Sequence, residues 1–328
     1  MRFGLFVPQG INLDLVGIPV PEQWKLMLDL AQAADAGPFE SIWVFDHFHT
    51  IPEPIDESAF EAWSVMAALA ASTSRVRLGQ LCTCMGYRNP AYLAKAAACI
   101  DVISGGRLEM GVGGGWYEHE WRAYGYGFPG VADRLDMLDE GVQIMRQLWT
   151  TGRATLAGKH YQVDGAISRP LPLQDGGIPL WIGGSGEKKT LRTAAKYARY
   201  TNFGATLDGF ARKSQVLAEH CKDVGTDFAA IVRSMVATVV IGETEKDVAD
   251  KMAWMRAHYE PHVPPETLEP YLRIFEDGLV GTPEQIVERL TAADQLGVGY
   301  LIGHFIDAAY DRSSIDLFAS KVIPELTR

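Results

Sequence analysis

The sequence predicts an α/β fold of the (β/α)8 barrel type, with insertions in the βα loops. Three features predict it. Short apolar runs alternate with amphipathic helical stretches about eight times, which makes the strands parallel with right-handed crossovers. Several runs are apolar at successive residues, as in strands buried on both faces. Glycines and polar residues gather just beyond several of them, where α/β proteins place their chemistry. Eight units favour closure into a barrel, and an open doubly wound sheet is the competing arrangement. The chain of 328 residues is long for one core. A barrel commonly runs to about 250 residues and tolerates insertions, so one domain spanning residues 1–328 is expected.

The elements follow in order. Arg2–Val7 is the first strand, and Glu22–Ala36 a helix with Trp24, Leu28, Ala31 and Ala34 on one face. Ser41–Asp46 and Val76–Thr83 are the second and third strands, separated by a helix over Phe60–Ser72. Asn89 is a good N-cap, and Pro90 suits the first helical position, where no N–H is needed. Leu93, Ala97, Ile100 and Ile103 keep helical spacing up to Gly105–Gly106, which can end the helix in a left-handed turn. Arg107–Val112 is the fourth strand, with a helix over Arg134–Trp149 and a surface hairpin over Arg153–Val163. Pro179–Gly183 and Thr201–Phe203 are the fifth and sixth strands, followed by helices near Glu187–Ala198 and Leu207–Val224. Val232–Ile241 is the seventh strand, with a helix over Glu245–Tyr259. Residues 261–280 read as an irregular, proline-rich insertion. Pro283–Leu296 is helical, Tyr300–Gly303 is the eighth strand, and Ser314–Leu326 the last helix.

Bulk properties narrow the function. A formal net charge of −11, with no basic block interleaved with aromatics, argues against nucleic acid as a partner. The opening MRFGLFVPQG becomes polar too soon for a signal peptide, and no run reaches the roughly 18 apolar residues of a spanning helix. No membrane partner is expected. Cys82, Cys84, Cys99 and Cys221 form neither a CxxC pair nor a zinc spacing, which fits reduced thiols in the cytoplasm.

Each candidate for chemistry sits at an expected C-terminal strand end. Asp46–His47–Phe48–His49 ends the second strand. His47 can donate or accept a proton near neutral pH, with Asp46 orienting it; the alternative is a satisfied polar turn. The HxH spacing also occurs in zinc-dependent barrel hydrolases. Those need further histidines, yet the fifth and sixth strands end in Gly183–Gly184 and Phe203–Gly204, leaving only His304 as a late partner, and no metal is expected. Cys82 and Cys84 share a face at the end of the third strand and read first as small core residues. Gly113, Gly114 and Gly115 follow the fourth strand, and three glycines there favour close approach of a flat ligand. The spacing is not a dinucleotide fingerprint, because its third glycine would fall on Trp116. Glu118 and Glu120 read as helix-start acids, with Glu118 also a candidate proton-handling group. Gly183, Gly184, Ser185 and Gly186 lead into a helix start, where bare amides bind phosphate. Lys188, Lys189 and Arg192 would oppose the helix dipole there unless an anion is bound. Trp63, Tyr87, Trp116 and His304 could line an apolar cleft, the alternative being plain core.

Five strings carry a resemblance: SIWVFDHFHTI (41–51), RVRLGQLCTCMGYRNPAYLAK (75–95), SGGRLEMGVGGGWYEHE (104–120), IPLWIGGSGEKKTLR (178–192) and LVGTPEQIVERL (279–290). In this order they resemble the bacterial luciferase-like superfamily, and within it the branch that uses coenzyme F420. The resemblance implies a luciferase-like barrel and an oxidoreductase that moves a hydride between the deazaflavin C5 and a small-molecule substrate. It implies that Asp46 and His47 lie beside the reactive ring. It implies a non-proline cis bond near Leu81–Cys82, so that Leu81, Cys82 and Thr83 form a bulge behind the ring. Gly114, Trp116 and Tyr117 would line the cofactor, and the amides of 183–186 would hold its phosphate. It further implies a homodimer. Two alternatives stay open. One is a monooxygenase using reduced FMN and oxygen, although flavin-using relatives often carry an arginine in the fourth-strand loop, here Gly113–Gly115. The other is a cofactor-binding barrel without catalysis. Substrate selection would fall to loops 50–59 and 261–280 and the hairpin near 153–163.

Overall fold

The computed structural model describes residues 1–203 and 206–327, so Gly204, expected just beyond the sixth strand, lies outside the described residues. The chain begins with β1 (Arg2–Phe6), α1 (Val20–Ala36), β2 (Ser41–Val44), α2 (Ala62–Ser72), β3 (Arg77–Gln80) and β4 (Thr83–Cys84). It continues through α3 (Pro90–Ile103), β5 (Leu108–Gly113), α4 (Glu118–Ala123), α5 (Val131–Thr151), β6 (Arg153–Ala157) and β7 (Gln162–Ile167). Then come β8 (Leu180–Gly183), α6 (Thr190–Tyr197), β9 (Tyr200–Asn202), α7 (Leu207–Val224), β10 (Val232–Ile241) and α8 (Glu245–Tyr259). The last elements are α9 (Pro265–Glu276), β11 (Leu279–Gly281), α10 (Pro283–Gln295), β12 (Tyr300–His304), α11 (Ser313–Leu317) and α12 (Ile323–Leu326). Among the described residues, no helix is long and apolar enough to cross a membrane.

The chain divides into two compact units, Met1–Glu61 with Ser234–Arg328, and Ala62–Arg233. In the first, β12 lies between β1 and β10, β2 pairs with the other side of β1, and β11 pairs with β10, all parallel. Gly4 of β1 is a close-approach position: a Cβ there would lie 2.6 Å from both Ser41 Oγ and Trp43 Nε1. Those two atoms are hydrogen-bonded, and Ser41 Oγ also pairs with the Tyr300 hydroxyl at 2.7 Å. A buried polar chain thus links β2 to β12 across Gly4, where β1 has no side chain, with each group satisfied.

In the second unit, β3, β5, β8 and β9 are parallel neighbours in that order, and β4 pairs with β5. The α3 cap forms as expected, with Asn89 Oδ1 accepting from the amides of Ala91 and Tyr92 at 2.9 and 3.2 Å. Gly105 and Gly106 turn the chain at φ 71° and 85°, conformations that glycine adopts without Cβ strain. The expected surface hairpin is β6 with β7, antiparallel.

Several expectations are corrected. Residues 261–280 are ordered as α9 and β11. Leu268, Leu272 and Phe275 form a helical stripe buried against Leu13, Val240, Met255, Tyr259, Val263 and Ile306. Pro264 and Pro265 sit at the N-cap and first position of α9, where proline is compatible with a helix; composition alone made them look like breakers. The buried face of α1 runs through Gln23, Met27, Leu30, Ala31 and Ala34 rather than Trp24 and Leu28. The last helix is continuous only through a π-turn over Phe318–Val322, just before Pro324, whose missing N–H cannot sustain regular pairing.

Candidate functional site

In the second unit the candidate residues follow β3, β5 and β8 in the chain. The expected third strand stops at Gln80, and Thr83–Cys84 resume separately as β4. The Leu81–Cys82 peptide between them is cis, at the position the resemblance implied. Cys82 Sγ fills the space between the ends of β5 and β8. A Cβ on Gly113 would lie 2.5 Å from this sulfur, and one on Gly183 would lie 3.0 Å from it. Gly115, at φ 71°, is similarly hemmed in by Cys84 Sγ and the Trp121 indole. The glycine cluster was expected to admit a ligand to the backbone. Two of its three members are instead required by the protein's own sulfur and indole packing. Gly114 is half-exposed, and its Cβ would lie 3.0 Å from Leu135 Cδ2 in the first turns of α5.

Beyond this loop, Trp116 is exposed and stacks on half-buried Tyr117 with centroids 5.2 Å apart. Glu118 and Glu120 do open a helix, α4. Glu118 is ion-paired with Arg122 at 2.7 Å, an arrangement of a helix-start acid rather than a proton-handling group. Glu120 is fully buried and accepts from the Tyr87 hydroxyl at 3.0 Å. The Tyr87 ring packs on Trp121 and Tyr126, both 5.2 Å away. Tyr87, and Trp63 with it, are buried core groups rather than cleft lining.

The β8–α6 loop exposes Gly184, Ser185 and Gly186. The Gly184 amide donates to the Asn202 carbonyl at 3.1 Å, so it is not available to a ligand. The amides of Ser185 and Gly186 have no protein acceptor among the described residues. The helix begins at Thr190, later than expected, with Lys189 at its N-cap. Lys189 Nζ binds Asp136 at 2.5 Å and the Ala132 carbonyl at 3.2 Å. Glu187 accepts from Lys213 at 2.9 Å and is held below its ordinary pKa, chiefly by that bond. The charges first read as calling for an anion are thus balanced within the chain, Lys188 apart.

The cation that does call for one is Arg134, which sequence reasoning missed. It is only 9% exposed, and its Nε and Nη1 have no hydrogen-bond partner among the described residues. The guanidinium lies 3.9 Å from the centroid of the Phe128 ring. Its neighbour Asp133 is committed to Lys159. An unpaired buried charge is costly. It also sits in the first turn of α5, whose N-cap Gly130 supplies no side-chain acceptor. Uncapped amides and an unpaired guanidinium both favour an anion. The Lys189 bonds tie the β8–α6 loop, which carries the Ser185 and Gly186 amides, to the start of α5. The overlooked signal was an arginine in register with the buried stripe Leu138, Val142, Met145 and Trp149.

In the first unit, Asp46 is buried and His47 and His49 are half-buried just past β2. The backbone that carries them is clamped by Gln9. Its Nε2 donates to the Phe45 carbonyl at 3.0 Å and its Oε1 accepts from the Phe45 amide at 2.9 Å. Phe45 stacks on Phe6 at 4.1 Å, and His304 meets both rings at 5.3 and 5.5 Å. Burial pushes His304 down to about 4, so the imidazole is neutral at pH 7, and its Nε2 has no hydrogen-bond partner among the described residues.

The profile of the family described as "Luciferase-like monooxygenase" matches residues 1–299. The F420-dependent glucose-6-phosphate dehydrogenase of Mycobacterium avium is 31% identical over 245 residues, covering 72% of this chain and 65% of that one. The pyrimidine monooxygenase RutA of Shigella flexneri is 29% identical over 326 residues, covering 94% of this chain and 82% of that one. The structure of an F420-dependent secondary alcohol dehydrogenase in complex with an F420-acetone adduct superimposes with a TM-score of 0.81 at 21% identity, covering 100% of this chain and 99% of that one. That likeness shows the fold, an α/β fold of the (β/α)8 barrel class.

Proposed function

The chain belongs to the luciferase-like monooxygenase family, and from that premise we propose that it is an F420-dependent oxidoreductase acting on a small organic molecule. The family membership makes it an oxidoreductase of the F420- or FMN-dependent kind; the choice of F420 is the proposed part. When bound, the deazaflavin supplies the hydride chemistry, and the protein supplies binding, orientation and electrostatics.

The proposal rests on two observations: the buried guanidinium of Arg134, whose Nε and Nη1 have no hydrogen-bond partner among the described residues, and the two unclaimed amides of the loop that Lys189 ties to the start of α5. A phosphate there would neutralise Arg134 and satisfy Ser185 and Gly186. The exposed Lys188 has no acidic partner among the described residues, which suits a tail whose negative charge continues past its first phosphate, as that of F420 does. Leu81, Cys82, Thr83 and Gly114, with Trp116 and Tyr117, are assigned to the ring. His47 is assigned to substrate protonation or orientation, with Asp46 supporting it.

A second reading, reduced FMN with oxygen, is favoured by the longer match to the pyrimidine monooxygenase. Arg134 would serve an FMN phosphate in place of a cation in the Gly113–Gly115 loop. Titration of the protein with F420 and with FMN, each followed by fluorescence, separates the two. F420 is expected to bind at micromolar concentration or tighter, and FMN more weakly. Tight FMN binding with no response to F420 would reject the proposal.

A further inference from the structure

We propose that Gln9 is a positioning residue for the strand end that carries Asp46 and His47, and that the Asp14 carboxylate holds Gln9 in place in a proton-dependent way. The assignment of His47 to the reaction rests on the function proposed above; the positioning itself does not.

The geometry forms a relay through the first unit. Asp14 is buried and accepts from the Gly10 amide at 2.6 Å and the Gln9 amide at 3.3 Å. Gln9 is itself 1% exposed. Its side chain engages both backbone groups of Phe45 and also donates to the Phe60 carbonyl at 2.5 Å. The two loops touch at further points. The Phe60 amide donates to the Gln9 carbonyl at 3.0 Å, and the Ile51 amide to the Ile11 carbonyl at 2.7 Å. A Cβ on Gly10, at φ 89°, would run into the Ser58 carbonyl, so the 9–14 loop lies flush against the segment that follows His49. The 9–14 loop therefore acts as a template for the loop after β2, with Gln9 as its only side chain reaching both the donor and acceptor of the residue before Asp46.

The charge at the start of the relay is poorly compensated. Asp14 receives only backbone donors, and burial raises it from 3.8 to about 6 against their opposing effect. The titratable groups that face it are Tyr259 from α8, Tyr271 from α9 and Tyr310 beyond β12. All three hydroxyls are raised, chiefly by burial. The nearby His258 bonds the Leu13 carbonyl at 2.9 Å and is lowered by burial. Glu57 acts on Tyr310, and no lysine or arginine is among the groups acting on Asp14. Protonation of Asp14 removes the charge-assisted character of two bonds to the 9–10 backbone and loosens the template from within.

The test uses the full chain without cofactor, so its failure is separable from failure of the functional reading. Amide resonances of Gly10 and Phe45 are followed by NMR from pH 4.5 to 8. Gly10 is expected to titrate with a midpoint near 6, and Phe45 to follow with the same midpoint. In Gln9→Met, Gly10 still titrates and Phe45 no longer follows; in Asp14→Asn, neither moves. A Phe45 shift that survives Gln9→Met, reporting a nearby histidine instead, overturns the relay. Should a variant fail to fold, the wild type still decides: a flat Gly10, or midpoints for Gly10 and Phe45 differing by more than about one unit, is equally fatal.

Discussion

Replacing Arg134 with Met should make the cofactor-free protein more stable and the cofactor-binding protein worse. Arg134 is 9% exposed, with no hydrogen-bond partner for its Nε and Nη1 among the described residues. Each unsatisfied buried donor costs about 1–3 kcal/mol. Stacking on Phe128 at 3.9 Å returns roughly 0.5–2 kcal/mol, and methionine keeps part of the packing because it fills irregular space. The net gain is about 1–3 kcal/mol, a rise in Tm of roughly 2 °C per kcal/mol for a chain of this size. Binding moves the other way. Removing one partner of a buried, hydrogen-bonded charge pair costs about 2–5 kcal/mol, a loss of affinity of roughly 30-fold or more. Thermal melts and calorimetric titration with F420 read both quantities on one preparation. A variant that melts lower than wild type and binds cofactor unchanged would refute the reasoning, because Arg134 would then be a satisfied structural cation.

Two buried groups should give stability opposite pH slopes. His304 is depressed from 6.5 to about 4, so the unfolded chain takes up a proton that the fold refuses. Its stabilisation is complete above pH 6.5 and falls by roughly 3 kcal/mol as pH drops to 4; urea melts of His304→Phe should lose this acid sensitivity. Asp14 is raised from 3.8 to about 6, so the fold holds a proton that the unfolded chain releases, and stability drops by roughly 3 kcal/mol as pH climbs through that window. In Asp14→Asn that loss should vanish, leaving a steeper net decline on acidification. Leu272→Ala should cost about 2–5 kcal/mol in chemical denaturation, since it opens a cavity in the core under α9; a cost below about 0.5 kcal/mol would mean α9 is only loosely attached. Gly113→Ala puts a methyl group 2.5 Å from Cys82 Sγ and should cost about 1–3 kcal/mol by overpacking, with much of the loss recovered when Cys82→Ala is added.

The alternation of strands and helices was legible because buried parallel strands and amphipathic helices leave different periodicities. Capped boundaries were legible too: Asn89–Pro90 opens α3 as its residue types dictate. What misled was punctuation without context. Pro264 and Pro265 look like breakers, yet at a helix start proline is compatible, and the Leu268–Leu272–Phe275 stripe was the better guide. The site was half legible. The glycine runs do follow strand ends, but Gly113 answers to Cys82 and Gly115 to Cys84 and Trp121, packing that no local spacing announces. Lys189 suggested an anion, yet its charge is met by Asp136, 53 residues away. Arg134, a buried cation whose Nε and Nη1 find no partner among the described residues, was hidden in an apolar stripe where long side chains ordinarily extend to water.

The resting place of the cofactor's negative tail is decisive. A crystal structure of the protein soaked with F420 should place a phosphate within hydrogen-bond reach of the Arg134 guanidinium and of the Ser185 and Gly186 amides. A cofactor phosphate bound elsewhere, with Arg134 still unpaired, would contradict it.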